Sequence, residues 1–292
     1  MWRCLDIYLR PYEFGSSSHS YRRFLYKTYG HTEACGKVSM RVCVSLRVED
    51  KEKKLLDTNP CRLSVIIPTI NEEDGIVSTL SELPLRMLEG MGFACEVTVV
   101  DGGSSDRTKE KAEQLGARVI VEPRRGYGRA YKTGFRASEG DILVALDGDH
   151  TYPASTVPML VRTMIEKDLD FVTASRLEFM ETGAMSWMHR LGNWILSIAV
   201  RLLFGVRLRD SQSGMWVIRR DALDRILPES DGMAFSEEIK IRAFKCCKCA
   251  ETPVKYRKRV GKSKITTAMD GIKNLLHLLQ LRFFDFRGSL LR

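Results

Sequence analysis

Residues 61–73 read CRLSVIIPTINEE, and the order of residue types in this stretch decides the fold. Leu63 to Ile67 is rich in β-branched residues, Pro68 bounds it, and Asn71, Glu72 and Glu73 open a helical stretch. This is a strand feeding a helix. The same grammar repeats downstream. Glu96 to Val100 predicts a second strand, Asp101 to Ser105 a turn and Asp106 to Leu115 a helix. Arg118 to Val121 predicts a short strand, Gly128 to Ala137 a helix, and Ile142 to Leu146 a buried strand ending in Asp147, Gly148 and Asp149. A helix from about Ala154 to Glu166 and a strand at Phe171 to Ala174 follow. Strands alternating with helices specify an α/β fold with a mostly parallel sheet flanked by helices. Ligands of such sheets lie beyond the carboxyl ends of the strands, where Pro68, Asp101 and Asp147 fall.

Composition bounds the function classes. The chain has 292 residues, 44% hydrophobic and 28% charged, enough for one large domain or two small ones with a sizeable core. Its formal net charge is +9, and the excess is clustered: residues 240–264 hold ten Lys or Arg against the single acid Glu251. A concentrated basic surface implies a polyanionic partner, which leaves nucleic acid, anionic lipid and diphosphate open. The eight cysteines follow no spaced disulfide framework, so a reducing compartment is expected. Cys246, Cys247 and Cys249 lack both the usual loop spacing and a nearby His, and read as thiols on a helix rather than a metal site. No run reaches the roughly 18 apolar residues that span a bilayer. Arg3, Asp6 and Arg10 interrupt the apolar opening, so no secretory segment is expected and membrane contact should be peripheral.

Three regions follow: 1–60, a poorly patterned extension; 61–264, the main domain; and 265–292, a two-faced helical segment. Asp147 and Asp149 stand at alternate positions just after an apolar strand, so both carboxylates can point into one crevice. Paired oxygen ligands suit Mg²⁺ or Mn²⁺ bridging to a diphosphate. A solvated acidic turn capping the next helix is the plainer reading of the same residues.

The conjunction is more specific than the pair. Pro68-Thr-Ile-Asn-Glu72, Val100-Asp-Gly-Gly-Ser-Ser-Asp106 and Asp147-Gly-Asp149, in this order, resemble the GT-A fold of family 2 glycosyltransferases. Arg176, Asp210-Ser-Gln-Ser-Gly214 and Tyr256-Arg-Lys-Arg-Val-Gly-Lys-Ser-Lys264 extend the resemblance to the dolichyl-phosphate mannose synthases and other polyprenyl-phosphate glycosyltransferases, over roughly residues 62–285. The resemblance implies that Pro68, Asn71, Glu72 and Asp101 bind the nucleoside of a nucleotide sugar, and that Asp147 and Asp149 hold Mg²⁺ or Mn²⁺. It also implies that Arg176, Arg190, Asn193, Ser213, Arg257 and Lys264 surround the phosphate of a polyprenyl or dolichyl acceptor, with Arg176 and Arg259 catalytic. Three positions depart from the pattern: Ile70 replaces an aromatic, Gly102 an aspartate, and Thr151 a Gln that assists the metal in some relatives. Gly126-Tyr-Gly128 lacks a full dinucleotide fingerprint and reads either as a turn under the donor phosphates or as a tight turn opening a helix.

A phosphate acceptor is anionic near neutral pH, so its attack on a sugar carbon requires charge cancellation and alignment more than a general base. Arginine forks meet that demand. Glu237 and Glu238 therefore need not act as bases, and are expected to cap a helix. From Arg190 to Phe204, Asn193, Ser197 and Arg201 draw one polar stripe on an otherwise apolar helix, with Trp194, Ile195, Ile198 and Leu202 around it. Such a segment suits the cytoplasmic face of a membrane, as an amphipathic interface helix, and Ile265 to Phe284 has a similar pattern. Both also suit helices packed on the sheet. The expectation is metal-dependent, inverting transfer of mannose from GDP-mannose, with UDP-glucose or UDP-N-acetylglucosamine as alternative donors. A nucleic-acid binding module built on the basic stretch, Tyr256 and Phe244 is the competing class, but it leaves Asp147 and Asp149 unexplained.

Overall fold

The computed structural model describes residues 60–261 and 267–285. The chain divides into two units, Met1–Leu55 and Leu56–Arg292, and all described residues belong to the second. Lys264 lies outside the described residues, as do 1–59 of the expected extension and Ile265.

Seven strands form one sheet in the order β3-β2-β1-β4-β6-β5-β7. They are β1 (Cys61–Thr69), β2 (Phe93–Asp101), β3 (Arg118–Val121), β4 (Ile142–Ala145), β5 (Phe171–Met180), β6 (Trp216–Arg219) and β7 (Cys249–Tyr256). The helices are α1 (Glu73–Glu82), α2 (Leu85–Gly90), α3 (Thr108–Gln114), α4 (Tyr127–Ala137), α5 (Val157–Glu166), α6 (Trp187–Phe204), α7 (Arg220–Ile226), α8 (Phe235–Cys246) and α9 (Thr267–Gln280). Strands β1 to β4 are mutually parallel, and β5 is parallel to β7. The exception is β6, antiparallel to both β4 and β5.

Side chains alternate across the sheet with the period of two that strands impose. Leu63, Val65 and Ile67 of β1 enter one core with Val144 and Val172, whereas Ile66 enters the other with Leu143, Phe171, Trp216 and Phe235. Both faces are therefore covered, as a mostly parallel sheet requires. Each fully buried aliphatic side chain in these layers favours the fold by about 1.5–3 kcal/mol over exposure. Because β6 runs backwards, its amino end and the loop 210–214 before it reach the same sheet edge as the carboxyl ends of β1, β2, β4 and β7.

Helix α6 buries part of its polar stripe together with one apolar face and exposes another. Asn193 and Ser197 of its polar stripe are buried, while Arg201 is exposed. The Ser197 hydroxyl donates to the Ser211 hydroxyl at 3.2 Å, so that part of the stripe faces protein. Leu196, Val200 and Phe204 pack with Leu278 and Leu281 at the end of α9. Trp187, Met188, Leu191, Trp194 (61% exposed), Ile195 and Leu202 (78%) point outward. On α9, Leu278 is buried while Ile272 and Leu276 are exposed, so this helix is apolar on both sides. No helix of the described residues is long and apolar enough to cross a membrane.

Candidate active site

The loops after β1 and β2 are knitted together. Gly102 N–H donates to the Thr69 carbonyl at 2.8 Å, extending the pairing past the last strand residue. Asp101 is buried, and its carboxylate accepts from the N–H groups of Gly103 (3.1 Å) and Ser104 (2.9 Å) and from the Ser104 hydroxyl. Asn71 takes a left-handed backbone (φ 49°), and its side-chain oxygen accepts from Ser105 N–H at 2.7 Å. Asn71 and Asp101 thus shape the β1 and β2 loops through their own side chains. Pro68 is half-buried beside them.

Asp147 and Asp149 follow β4 as their spacing predicts. The Asp147 carboxylate accepts from the Tyr127 hydroxyl at 2.9 Å. Burial and the neighbouring Asp149 charge push Asp147 up to about 7, against the opposing pull of Tyr127, Arg176 and Arg259. Asp149 Oδ1 accepts from the N–H (3.0 Å) and hydroxyl (2.6 Å) of Thr151. The turn is enclosed by backbone: a Cβ on Gly75 of α1 would fall 2.7 Å from the Gly148 carbonyl, and one on Gly214 would fall 2.1 Å from Asp147 Oδ2. His150 adopts φ 62°, a left-handed backbone uncommon outside glycine.

The arginines are distributed unevenly. Arg176, buried at the register irregularity of β5, is clamped by Asp210 through its Nε (2.8 Å), Nη2 (2.6 Å) and backbone N–H (2.9 Å), and its guanidinium lies over the Tyr256 ring. Burial opposes the Arg176 charge, but Asp210 outweighs it and holds the arginine well above its ordinary value. Arg259 reaches the turn after β4 and the loop after β1: Nη1 donates to Asp149 Oδ2 at 2.6 Å and Nη2 donates to Glu72. The segment carrying it is docked by Arg257 N–H on the Thr151 carbonyl (2.9 Å) and Val260 N–H on the Asp149 carbonyl (3.1 Å). Arg257 makes a bidentate pair with Glu82, 2.8 Å on each side, and touches His150 Nε2 at 3.1 Å. Arg190 is exposed on α6 and has no ion-pair partner among the described residues. Asn193 is buried, and neither its nitrogen nor its oxygen finds a hydrogen-bond partner among the described residues.

Asp147, Asp149, Glu72 and Arg259 therefore converge, with Arg176 close enough to bias Asp147 electrically. Arg257 stands one carboxylate away, on Glu82. Ser213 is buried, and its hydroxyl accepts from Tyr152 at 3.3 Å. Glu237 and Glu238 occupy the first turn of α8, but both are buried. Glu238 accepts from Glu229 N–H and Arg242, and Glu237 accepts from the Ser211 hydroxyl at 3.5 Å beneath the 210–214 loop. At Gly126-Tyr-Gly128, the N–H groups of Gly128 and Arg129 meet the carbonyls of Gly232 and Asp231 at 3.3 and 3.1 Å, and Arg129 and Lys132 pair with Asp231. Tyr127, Tyr152 and His150 carry no motif that announces a place at the site.

A divalent cation fits this donor set. Asp147 and Asp149 offer hard carboxylate oxygens at one crevice, and the Arg259 guanidinium, which bridges Asp149 and Glu72, would have to share the Asp149 carboxylate with the ion or yield it. No group of three or more His, Cys, Asp or Glu side chains poised for a metal occurs among the described residues.

Residues 64–227 match the sequence model of the family described as Glycosyl transferase family 2. The chain is 36% identical over 220 residues to the low-salt glycan biosynthesis hexosyltransferase Agl6 of Haloferax volcanii, covering 74% of this chain and 53% of that protein. It thus spans about half the length of that relative. To a dolichyl-phosphate hexose transferase of the same organism it is 35% identical over 204 residues, covering 70% of this chain and 86% of the relative. To the dolichol-phosphate mannosyltransferase of Pyrococcus furiosus it is 26% identical over 232 residues, covering 75% and 64%. Among solved structures, glucosyl-3-phosphoglycerate synthase of Mycobacterium tuberculosis, in complex with Mn²⁺, UDP and glucosyl-3-phosphoglycerate, superposes with a TM-score of 0.63 at 23% identity. The match covers 80% of this chain and 83% of that one. This likeness establishes the GT-A type of fold.

Proposed function

The chain belongs to glycosyl transferase family 2, and from that premise we propose that it transfers mannose from GDP-mannose, with inversion, to dolichyl or polyprenyl phosphate. The observation that carries the reading is the meeting of two opposite charge sets at one sheet edge: Asp147, Asp149 and Glu72 on the donor side, and Arg176 clamped by Asp210 on the acceptor side. Two relatives, the dolichyl-phosphate hexose transferase of Haloferax volcanii and the dolichol-phosphate mannosyltransferase of Pyrococcus furiosus, support the acceptor class.

Asn71, Asp101 and Pro68 shape the wall for the nucleoside, and Glu72 anchors Arg259 beside it. Asp147 and Asp149 would hold Mg²⁺ or Mn²⁺, which supplies charge neutralisation for the departing diphosphate. The acceptor phosphate needs no deprotonation; the exposed Arg190 would cancel part of its charge, and Arg176, whose own charge Asp210 balances, would align it with the sugar carbon through the N–H groups that Asp210 leaves open. Burial of the Arg176 fork fixes its direction before the acceptor arrives, so little reorganisation is left for the reaction step.

Peripheral contact with the cytoplasmic face of a membrane belongs to the same proposal. The outward Trp194, Ile195 and Leu202 of α6 and the exposed Ile272 and Leu276 of α9 suit a bilayer interface. A second donor reading, UDP-glucose or UDP-N-acetylglucosamine, is favoured by the UDP held by the M. tuberculosis fold neighbour. One screen separates them: each radiolabelled nucleotide sugar is offered with polyprenyl phosphate and Mg²⁺ or Mn²⁺. Labelled lipid from GDP-mannose supports the proposal, labelled lipid from a uridine donor replaces the sugar, and none from any donor overturns the lipid acceptor.

A further inference from the structure

Lys240 is fully buried in the middle of α8, although lysine almost never is unless its charge is satisfied. Its ammonium donates to the Ser213 carbonyl and to the Ser236 hydroxyl at 3.0 Å, and it stands 5.4 Å from the centre of the Trp216 ring. Those contacts satisfy a group with three donors. The Ser213 carbonyl in turn takes two further donors, Trp216 Nε1 at 2.7 Å and the Ser236 hydroxyl at 3.0 Å. A carbonyl oxygen has two lone pairs, so three donors on one such oxygen is an unusually heavy concentration.

That carbonyl belongs to the Ser213–Gly214 peptide. The N–H of the same peptide donates to the Tyr152 hydroxyl at 2.8 Å, so it is gripped at both ends. Its Gly214 lies against the Asp147 carboxylate, with no room for a Cβ between them. Three residues upstream of Ser213, Asp210 clamps Arg176. The turn 210–214 therefore touches the donor-side carboxylate at one end and the acceptor-side arginine at the other, and Lys240 grips it from below.

We infer that Lys240 is a positioning residue for transfer: by fixing the Ser213–Gly214 peptide it sets the spacing between Asp147 and the Arg176–Asp210 pair. The inference rests on the proposed glycosyl transfer. Lys240 touches neither substrate, and its effect reaches the reaction only through the turn. A misplacement of about 1 Å in an aligned site costs up to roughly a hundredfold in rate, so a loosened turn appears in turnover rather than in donor binding.

Lys240→Met keeps the length and the apolar stem but leaves the Ser213 carbonyl with two donors. Removing one charge from a buried set that includes Asp210 and Glu237 destabilises the fold, so positioning is separated from folding by the kinetic split and by local exchange rather than by Tm. With the labelled nucleotide sugar and polyprenyl phosphate that serve the parent, the expected result is a kcat lower by about tenfold or more, with donor KM within about twofold and a melt that is lowered but still cooperative. Hydrogen–deuterium exchange over residues 210–215 should quicken while the rest of the sheet does not change. Parent-like kcat and parent-like exchange overturn the inference, as does a change confined to donor KM. Should Lys240→Met fail to fold, Ser236→Ala, which removes one anchor of the ammonium and one donor to the same carbonyl, is read by the same criteria and expected to give a smaller loss. A parent without transfer activity sinks the proposed function instead, and the exchange measurement still decides whether Lys240 holds the turn.

Discussion

Arg176 and Asp210 share three hydrogen bonds, two from the guanidinium and one from the Arg176 backbone N–H, so a single carboxylate fixes both the position and the direction of one arginine. Lysine cannot reproduce this fork. Arg176→Lys should lower kcat by about tenfold or more while leaving donor KM within about twofold. Steady-state kinetics with donor and acceptor varied separately will decide; a loss confined to nucleotide binding would move Arg176 to the donor side.

Asp149→Ala should abolish transfer and keep a cooperative melt, because the carboxylate anchors charge at a loop rather than filling the core. Asp147→Asn should also be severe. Normal turnover of Asp149→Ala in Mg²⁺ or Mn²⁺, with unchanged melting, would remove these aspartates from the mechanism.

Arg259 sits on the carboxylates that a divalent cation would use. Arg259→Met should therefore strengthen Mn²⁺ binding without nucleotide, by about threefold or more, because a competing positive charge is gone. Its transfer rate should nevertheless fall. Titration of free Mn²⁺ by electron paramagnetic resonance checks the first half, and weaker Mn²⁺ binding in the variant would show that Arg259 assists the cation instead.

The outward face of α6 predicts two components in binding to anionic vesicles. Apolar burial by Trp194, Ile195 and Leu202 should resist salt, whereas attraction by lysines and arginines, about 1 kcal/mol each near the surface, should be screened. Trp194→Glu should abolish the salt-resistant part in co-sedimentation. Parent-like binding of that variant at high salt would locate docking elsewhere.

Glu238 provides a stability test away from the crevice. Burial pushes its carboxyl up, but His277, Ser230, Arg242 and the Glu229 N–H outweigh that and hold it down at about 2. A depressed carboxylate contributes stability that is present above its ordinary value near 4.5 and lost as pH falls toward 2. Glu238→Gln should thus be destabilised at neutral pH by an amount on the order of 2 kcal/mol, and the gap should close between pH 5 and pH 2. Denaturant unfolding at several pH values reads this directly; a gap that widens in acid would contradict it.

Much of the sheet was legible because its strands announce themselves by local pattern. Arg118–Val121 coincides with the expected strand, and the Ile142 run ends one residue early, at Ala145. The aspartates were legible for the same reason, being punctuation after apolar runs. The reversed β6 was not: four residues carry no sign of direction, which is set by pairing with β4 and β5 on either side. Arg259 meets Glu72 across 187 residues of chain and Asp149 across 110, distances over which local pattern carries no information. Lys240 falls in the basic stretch by sequence, and its burial is explained only by contacts made in the fold, with the Ser213 carbonyl, the Ser236 hydroxyl and the Trp216 ring. The α6 stripe was visible, but periodicity gives the angle between faces and not which one meets water.

The backbone enclosure of the aspartate turn divides the molecule into parts that evolution can and cannot alter. Any side chain at Gly75 or Gly214 collides with the turn or with Asp147 itself, so variation there is closed. At Gly102 the first obstacles to a Cβ are the Thr69 carbonyl at 3.4 Å and the Ile70 side chain at 3.6 Å, which is ordinary contact. A Cβ is therefore admissible at 102, on a loop where the nucleoside is proposed to lie, without disturbing the carboxylates. If the nucleoside lies on these loops as proposed, the rim at 102 is open to change where the aspartate turn is closed to it.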